Sequence, residues 1–339
     1  MRRKGLLALV LSSLALGVGA GPAIAGEPFA GQAAEQVAEN GQSASSSASS
    51  TQVAPSNTNI DVRVLSPGDG GSVSQSNSSS AESAAGNLNE TAQSVEQSQY
   101  DAGAPAIQEA AQQAVNDQQA QSEATSEQVH PKNTNVSVRV LSPGDDGDVD
   151  QSNSSAAESA AYNGNETGQS IDQDQEGHGC GCGSTGIQAA AQEAISGQQA
   201  DSSAESKQVE PQNRNVSVRV LSPGDDGDVS QSNDSAAASE AVNENGTAQG
   251  IEQSQHGSDC GCPHDSLGIQ AAAQNAVNWQ EANSSADSTQ LYPSNKSLSF
   301  DFLGYGDGGD VKQSNSSLAE SLAANRNALE QAVSQNQGG

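Results

Sequence analysis

The sequence predicts an all-β repeat protein, a solenoid-like stack of polar strands, and three observations lead to this prediction. A module of about 80 residues recurs along the chain, and its length varies at one place only. Within each module, residues of one type recur at every second position, which is the period of a β-strand. Aromatic residues make up only 2% of the chain, so a fold has to come from stacked repeats rather than from a bulky core.

Composition leaves two alternatives to this fold open. A net charge of -30 with so few large apolar residues is typical of largely disordered chains. Partly helical structure is the other alternative, because the Ala-rich run 187–194 suits a short helix as well as a strand. Leu318, Leu322, Leu329 and Val333 also recur at four- and seven-residue spacings, which favours a helical cap at the end of a β stack.

The chain divides into a leader and repeat segments. Three basic residues, an apolar run and an Ala-x-Ala site at 23–25 predict a signal peptide cleaved before Gly26. We therefore expect a secreted protein, extracellular or at the cell surface, without membrane insertion after cleavage. The predicted segments are 1–25 (signal peptide), 26–56 (N-terminal half-module), 57–132, 133–212 and 213–294 (repeats 1, 2 and 3) and 295–339 (C-terminal half-module or cap).

Each repeat opens with a short predicted strand and a turn. In repeat 2, Val136, Val138 and Val140 occupy alternate positions, and a Pro-Gly-Asp turn follows them. Nearly the same string returns at 215–229, and a degenerate copy occupies 297–311. The alternation predicts one strand for each repeat.

A second, longer alternation of small polar residues follows the turn. It extends over 19 residues, so we expect the strand to bend near Asn243 and Asn245, where asparagine tolerates left-handed backbone. Identical faces stacked on each other predict amide ladders and interlocked Ser/Ala layers. The predicted ladder residues are Gln151, Asn153, Asn163, Asn165, Gln231, Asn233, Asn243 and Asn245.

The segment that varies in length carries all four cysteines, as two Cys-Gly-Cys units in adjacent repeats: Cys180, Cys182, Cys260 and Cys262. Export favours oxidation, and disulfides between repeats would restrain the unfolded chain by about 4–5 kcal/mol. A zinc site is the second interpretation, since thiolates suit tetrahedral zinc, and free or redox-active thiols are the third. The sequence does not assign a pairing.

Acidic residues cluster at the turns of repeats 2 and 3: Asp145, Asp146, Asp148, Asp225, Asp226 and Asp228. Carboxylates on a Gly-containing turn are suitable calcium ligands. The simpler interpretation is that Pro, Gly and Asp are turn formers that keep an exposed edge soluble. The sequence predicts no cofactor, and calcium at these turns is an alternative interpretation, as zinc is at the cysteines.

Charge and motifs narrow the range of functions. After the predicted leader, this acidic sequence lacks the clustered Lys and Arg that nucleic acids and anionic membranes require. No hydrolase elbow, phosphate-binding loop or metalloprotease helix motif occurs, so no catalytic residue and no enzyme activity are predicted. The remaining partners are further copies of the chain, cations and components of a cell envelope.

Two patterns resemble known families. Gln-x-Ala at 192–194 and 198–200, with Asn-x-Asn-x-Thr-x-Gln-x-x-x-Gln at 243–253, is similar to relaxed curlin repeats. Curlin repeats form stacked β-arcs in extracellular amyloid fibres. The string VRVLSPGDDGDV-x-QSN at 138–153 resembles secreted repeat proteins of actinobacteria, which bring no established activity.

These expectations combine into two candidate functions. The first is a secreted structural or surface-coat protein that self-assembles through stacked Asn, Gln, Ser and Ala strands. The second is an acidic exoprotein that binds calcium or a partner.

Overall fold

The computed structural model describes residues 30–101, 106–177, 185–256 and 267–338, which form β-strands and no helix. The strands are β1 (Ala30–Val53), β2 (Ser56–Val64), β3 (Val73–Asp101), β4 (Ala106–Val129), β5 (Lys132–Val140), β6 (Val149–Gly177), β7 (Thr185–Val209), β8 (Gln212–Val220), β9 (Val229–His256), β10 (Leu267–Leu291), β11 (Ser294–Phe302) and β12 (Val311–Gly338).

Three parallel sheets of four strands contain all of these elements. Sheet A consists of β1, β4, β7 and β10, sheet B of β2, β5, β8 and β11, and sheet C of β3, β6, β9 and β12. One strand from each sheet, taken in chain order, makes one coil, so that β1–β3 form coil 1 and β10–β12 form coil 4. This arrangement confirms the predicted all-β stack of repeats.

Stacking keeps equivalent repeat positions in contact. Asn77 pairs with Asn153, Asn153 with Asn233, and Asn233 with Asn315. The coils begin half a module away from the repeat boundaries at 57, 133, 213 and 295. The segment 26–56 therefore contributes β1 to coil 1, together with β2 and β3 of repeat 1.

Sheet A faces most of the length of sheet C, and the start of sheet C faces sheet B, so that the sheets enclose the core. The Gln97 Nε2 group donates to the Glu109 carbonyl (3.0 Å), and Gln93 Nε2 donates to the Gln113 carbonyl (3.1 Å), so facing strands lie antiparallel across the core. Small residues fill the space between, in alanine layers such as the one around Ala157 and Ala204. Apolar side chains as small as these bury little area each, and hydrogen bonds therefore have a large share in the packing.

The expected bend near Asn243 and Asn245 is wrong. Strand β9 runs without interruption for 28 residues, and its odd-numbered side chains stay buried from Val229 to Gln253. Neither asparagine has a positive φ. Strands usually end where a compact core ends, but here sheet A, with strands of 24–25 residues, and sheet B together face β9, so nothing interrupts the ladder.

The expected helices at 187–194 and at the C-terminal cap are also wrong. Residues 187–194 belong to β7, and the cap is strand β12. In β12, Leu318 and Leu322 lie at outward positions, while Leu329 and Val333 align with inward Thr247 and Ile251. In-register pairing with β9 overrides the helical spacing, because tertiary context outweighs local propensity.

Two corners shape every coil. The residue after each sheet A strand and the residue after each sheet B strand are left-handed, with φ of 49–56°, although none of them is glycine. The residues are Ala54, Leu65, His130, Leu141, Glu210, Leu221, Tyr292 and Leu303. Left-handed backbone is uncommon for bulky residues, so its recurrence in all four coils identifies these corners as fixed parts of the fold.

Glycine is required where the turns stack most closely. At Gly144, φ is +135°, and an added Cβ would lie 2.3 Å from the Gly68 carbonyl oxygen of the preceding coil. Gly224 has the same φ and meets Gly144 in the same way. A side chain at either position would separate adjacent coils.

Candidate functional site

Glutamine ladders run through the sandwich along the stacking axis. The Gln151 amide donates to Gln75 Oε1 (2.7 Å), Gln231 donates to Gln151 (2.8 Å), and Gln313 donates to Gln231 (2.7 Å). All three bonds point from the later coil to the earlier coil. The Gln169 and Gln173 ladders of the same sheet have the same direction.

Asparagine ladders run beside them in the opposite direction. Asn77 donates to Asn153 (2.9 Å), Asn153 donates to Asn233 (2.9 Å), and Asn233 donates to Asn315 (2.8 Å). Two further asparagine ladders also donate from the earlier coil to the later coil, one through Asn163 and Asn243 and one through Asn165 and Asn245. The stack therefore has a polarity, because its last coil offers glutamine acceptors and asparagine donors.

The ladders also cross the core. Besides its ladder bond, Gln151 Nε2 donates to the Arg214 carbonyl (3.2 Å), and Asn153 Nδ2 reaches Asn213 Oδ1 (3.1 Å). Among the described residues, only five buried side-chain polar atoms lack a hydrogen-bond partner. A buried amide costs free energy unless it is hydrogen-bonded. In this core the buried amides are hydrogen-bonded because the same amide recurs at the same position in the next coil.

The two end coils leave the stack open. Coil 1 and coil 4 supply the edge strands of all three sheets. In coil 4, Val333 lies at an inward position but is 49% exposed, whereas Ile251, its partner in coil 3, is 2% exposed. The difference arises because β4, β7 and β10 each cover the sheet C strand of the coil before, while none of the described strands covers β12 in this way.

A buried arginine–aspartate network links the turns of successive coils. Arg139 is fully buried and donates to Asp146 Oδ1 (2.6 Å) and to the Gly68 carbonyl of coil 1 (2.7 Å). Arg219 is 2% exposed and donates to Asp226 Oδ1 (2.8 Å). Its Nη2 atom also lies 3.3 Å from Asp146 Oδ2, so this carboxylate joins two coils.

The network shifts the titration of Asp146. Burial by itself would raise the pKa of this carboxyl, but the Arg139 hydrogen bond, the Arg219 charge and the Ser217 hydroxyl together bring the pKa below its ordinary value. Two cations and the Ser217 hydroxyl therefore hold the carboxylate in its charged form.

The two end coils depart from this arginine–aspartate pair in different ways. In coil 1 the position of Asp146 is Gly70, and Arg63 uses Asp61 of its own strand instead (3.1 Å). In coil 4, Asp301 occupies the arginine position and Gly308 the aspartate position. Coil 4 thus loses the buried cation together with its carboxylate, whereas Arg63 of coil 1 is 26% exposed and keeps a carboxylate partner, as the high cost of an unpaired buried charge requires.

The remaining turn aspartates form exposed ladders of their own. The Asp225 amide donates to Asp145 Oδ1 (2.8 Å), and the Asp228 amide donates to Asp148 Oδ1 (3.0 Å). Each carboxylate thus accepts a backbone N–H of the next coil. In the described ranges, no group of three or more His, Cys, Asp or Glu residues could hold a metal ion. Calcium binding at these turns stays a prediction.

The cysteine predictions lie outside the described residues. Cys180, Cys182, Cys260 and Cys262 fall in segments 178–184 and 257–266, which separate coil 2 from coil 3 and coil 3 from coil 4. The disulfide, zinc and free-thiol interpretations therefore stay predictions.

Sheet B places its apolar side chains outward. In β5 and β8 the inward positions hold Asn, Ser and Arg, with Arg139 and Arg219 buried, while Val136, Val138 and Val140 point to the other face. The same face of the end coils carries Ile60, Val62, Val64, Leu298, Phe300 and Phe302, each 52–64% exposed. This face is an exposed apolar surface on a strongly acidic protein.

Comparison with protein families, curated proteins and solved structures finds no match to this chain. Across the four described ranges, no helix has the length and apolar character needed to cross a bilayer.

The sequence interpretation missed the arginine–aspartate network and the outward direction of the valines. A signal for the network exists, since Arg and Asp occur together in repeats 2 and 3 and are both replaced in the last copy. No such signal exists for the valines, because both faces of the short strand repeat equally well.

Proposed function

We propose that this chain is an exported structural protein that forms extracellular filaments or a surface coat by stacking end to end. The observation that carries the proposal is the pair of open end coils, whose strands are edges in all three sheets. Edge strands with free N–H and C=O groups are templates for further pairing, and proteins that stay monomeric usually cover them.

A second copy can supply what coil 4 lacks. Within the chain, β4 covers β3, with Ser126 Oγ donating to Ser79 Oγ (3.0 Å), and β10 covers β9, with Gln290 Nε2 donating to the Asn233 carbonyl (2.9 Å). Among the described strands, none covers β12 in the same way. Strand β1 of another copy would take that place and bury the inward side chains of β12.

The register of the two ends agrees. If coil 1 of a second copy continues the same pairing on coil 4, identical residues meet along the ladders: Gln32 on Gln270, Gln36 on Gln274, Asn57 on Asn295, Gln75 on Gln313, Asn77 on Asn315, Asn87 on Asn325 and Gln97 on Gln335. These seven amide ladders would continue without a mismatch, whereas Asn59 would meet Ser297.

Polarity and charge favour head-to-tail addition. Glutamine ladders donate from a later coil to an earlier one, so glutamines of coil 1 in the added copy would donate to free acceptors on coil 4. In the same register, Arg63 of the added copy would lie beside Asp301. Joining two copies in the opposite sense would bring like ends together.

Proline at the edge of β12 tests the proposal. The Val229 amide donates to coil 4 at the Asp310 carbonyl (2.7 Å), so inward residues direct their N–H groups to the following coil. In β12, inward Ala319 therefore directs its N–H away from β9. Ala319→Pro should leave the monomer folded but block growth, because the next strand loses a donor and meets the proline ring.

The measurement is seeded growth of the secreted chain, followed by light scattering and electron microscopy. We expect the growth rate to fall at least tenfold for Ala319→Pro. Ala319→Ser keeps the N–H group and is the matched control, with growth like that of the parent chain. Unchanged growth of a folded Ala319→Pro protein would rule out stacking through coil 4.

A further inference from the structure

The outward face of sheet B carries a grid of apolar side chains without a carboxylate. Three rows cross all four strands, and their central members are Val136, Val138 and Val140. The acidic residues within the sheet B strands, Asp61 and Asp301, both occupy inward positions. The rest of the protein carries most of a net charge of -30, so this is where another acidic copy can approach with least repulsion.

Three cations border the grid on one side, with Lys132 two residues closer to the start of its strand than Arg214 and Lys296. Lys132, Arg214 and Lys296 are exposed at outward positions near the start of their strands. The opposite border, at the end of the strands, is formed by the corner leucines such as Leu141 and Leu221, which are about half exposed. The face is therefore asymmetric along the strand direction.

We propose that two end-to-end stacks of this protein pair through the outward faces of sheet B, with their stacking axes parallel. The proposal rests on the end-to-end stacking proposed above. Flat, in-register rows of β-branched residues pack dry against identical rows at about 10 Å separation. A two-fold rotation about the stacking axis brings the cation border of one stack against the leucine border of the other.

Charge selects this orientation. If the stacking axes were antiparallel, the rows containing Lys132, Arg214 and Lys296 would face each other across the interface and repel. Parallel axes separate the two rows by the width of the apolar grid. The same orientation keeps the valine rows of both sheets aligned.

The size of the grid predicts when pairing occurs. Four strands at about 4.8 Å and three outward rows at about 6.6 Å give roughly 380 Å² per molecule. Two single molecules would thus bury roughly 760 Å² in total, less than the ~1,200 Å² typical of stable complexes. In a stack the grid becomes a continuous stripe, so pairing should follow end-to-end growth rather than precede it.

The experiment measures mass per unit length of assembled filaments by scanning transmission electron microscopy. The test variant combines Val138→Lys with Val218→Lys on sheet B. Its matched control combines Ala156→Lys with Ala236→Lys, which add the same charge in the same coils at outward positions of sheet C. Val138→Thr with Val218→Thr is a milder second variant that keeps β-branched side chains.

For the parent and the control we expect two chains per roughly 19 Å of filament, the height of four coils. For both valine variants we expect one chain per roughly 19 Å, with unchanged growth rate. Parent filaments with one chain per four coils would overturn the pairing alone. Paired filaments of a folded lysine variant would also overturn it.

Two other outcomes separate this inference from the proposed function. If no variant forms filaments, end-to-end stacking and pairing both fail. Flotation with vesicles of phosphatidylcholine and phosphatidylserine tests a lipid occupant of the same face. Vesicle binding by the parent that is lost in both valine variants would assign the face to lipid and overturn pairing with a second copy.

Discussion

Asp146 shows how single residues connect the coils of this protein. Its carboxylate accepts hydrogen bonds from Arg139 and Ser137 of its own coil and from Ser217 of the next coil, and Arg219 lies within ion-pair distance. Charged hydrogen bonds of this kind are stronger than neutral ones. A side chain that is only 11% exposed thus joins two turns.

We predict that Asp146→Asn destabilises the protein by about 3 kcal/mol at neutral pH, because it removes the charge that two buried arginines share. Urea unfolding of the parent and the variant measures the difference. Asp150→Asn is the control, since Asp150 is exposed at an outward position of β6, and it should change stability by less than about 0.5 kcal/mol. Equal effects of the two substitutions would contradict the role of the network.

The stability difference between the parent and Asp146→Asn should also depend on pH. Because the folded state lowers the pKa of Asp146 below its ordinary value of 3.8, the ionised form stabilises the fold. That contribution is complete above about pH 5 and is lost as the pH falls through the lowered pKa. The stability difference between parent and Asp146→Asn should therefore stay constant from pH 7 to 5 and shrink below pH 4 in urea titrations.

At the level of single elements, the strands differ from those of common β proteins because their buried side is polar. The sequence predicted the strand period, the ladder-forming residues and the stacking from alternation alone. It did not predict strands of 28–29 residues, because strand length depends on the facing sheet and not on local sequence. The outward direction of the sheet B valines could not be predicted either, because both faces of β5 repeat with equal fidelity.

Which side of a long strand lies inside can be tested with neighbouring residues of β6. Asn153 is fully buried in the ladder, and Ser154 lies on the opposite face. Asn153→Lys should abolish cooperative thermal unfolding, because a buried ammonium group finds no partner among stacked amides. Ser154→Lys should unfold like the parent, within about 0.5 kcal/mol. Equal tolerance of both lysines would show that the ladder does not hold the sheets together.

At the scale of the whole molecule, the protein is quasi-one-dimensional. Each coil contacts only its neighbours, so stability is approximately a sum of coil and interface contributions. Nothing in such a stack fixes the number of coils, provided that the register is kept. Register is strict, because a slip of one residue moves every ladder side chain to the opposite face.

Removing one period tests this view. Deletion of 57–132 joins Ser56 to Asn133, which has the register of Asn57 one period of 76 residues later. It keeps all four cysteines, and the resulting three-coil protein should fold, with a urea m-value about three quarters of that of the parent. Deletion of 58–132 leaves one extra residue at the start of the sheet B strand. This residue shifts the strand by one position out of the ladder register. This control should lose cooperative unfolding, whereas equal behaviour of the two deletions would mean that register does not define the stack.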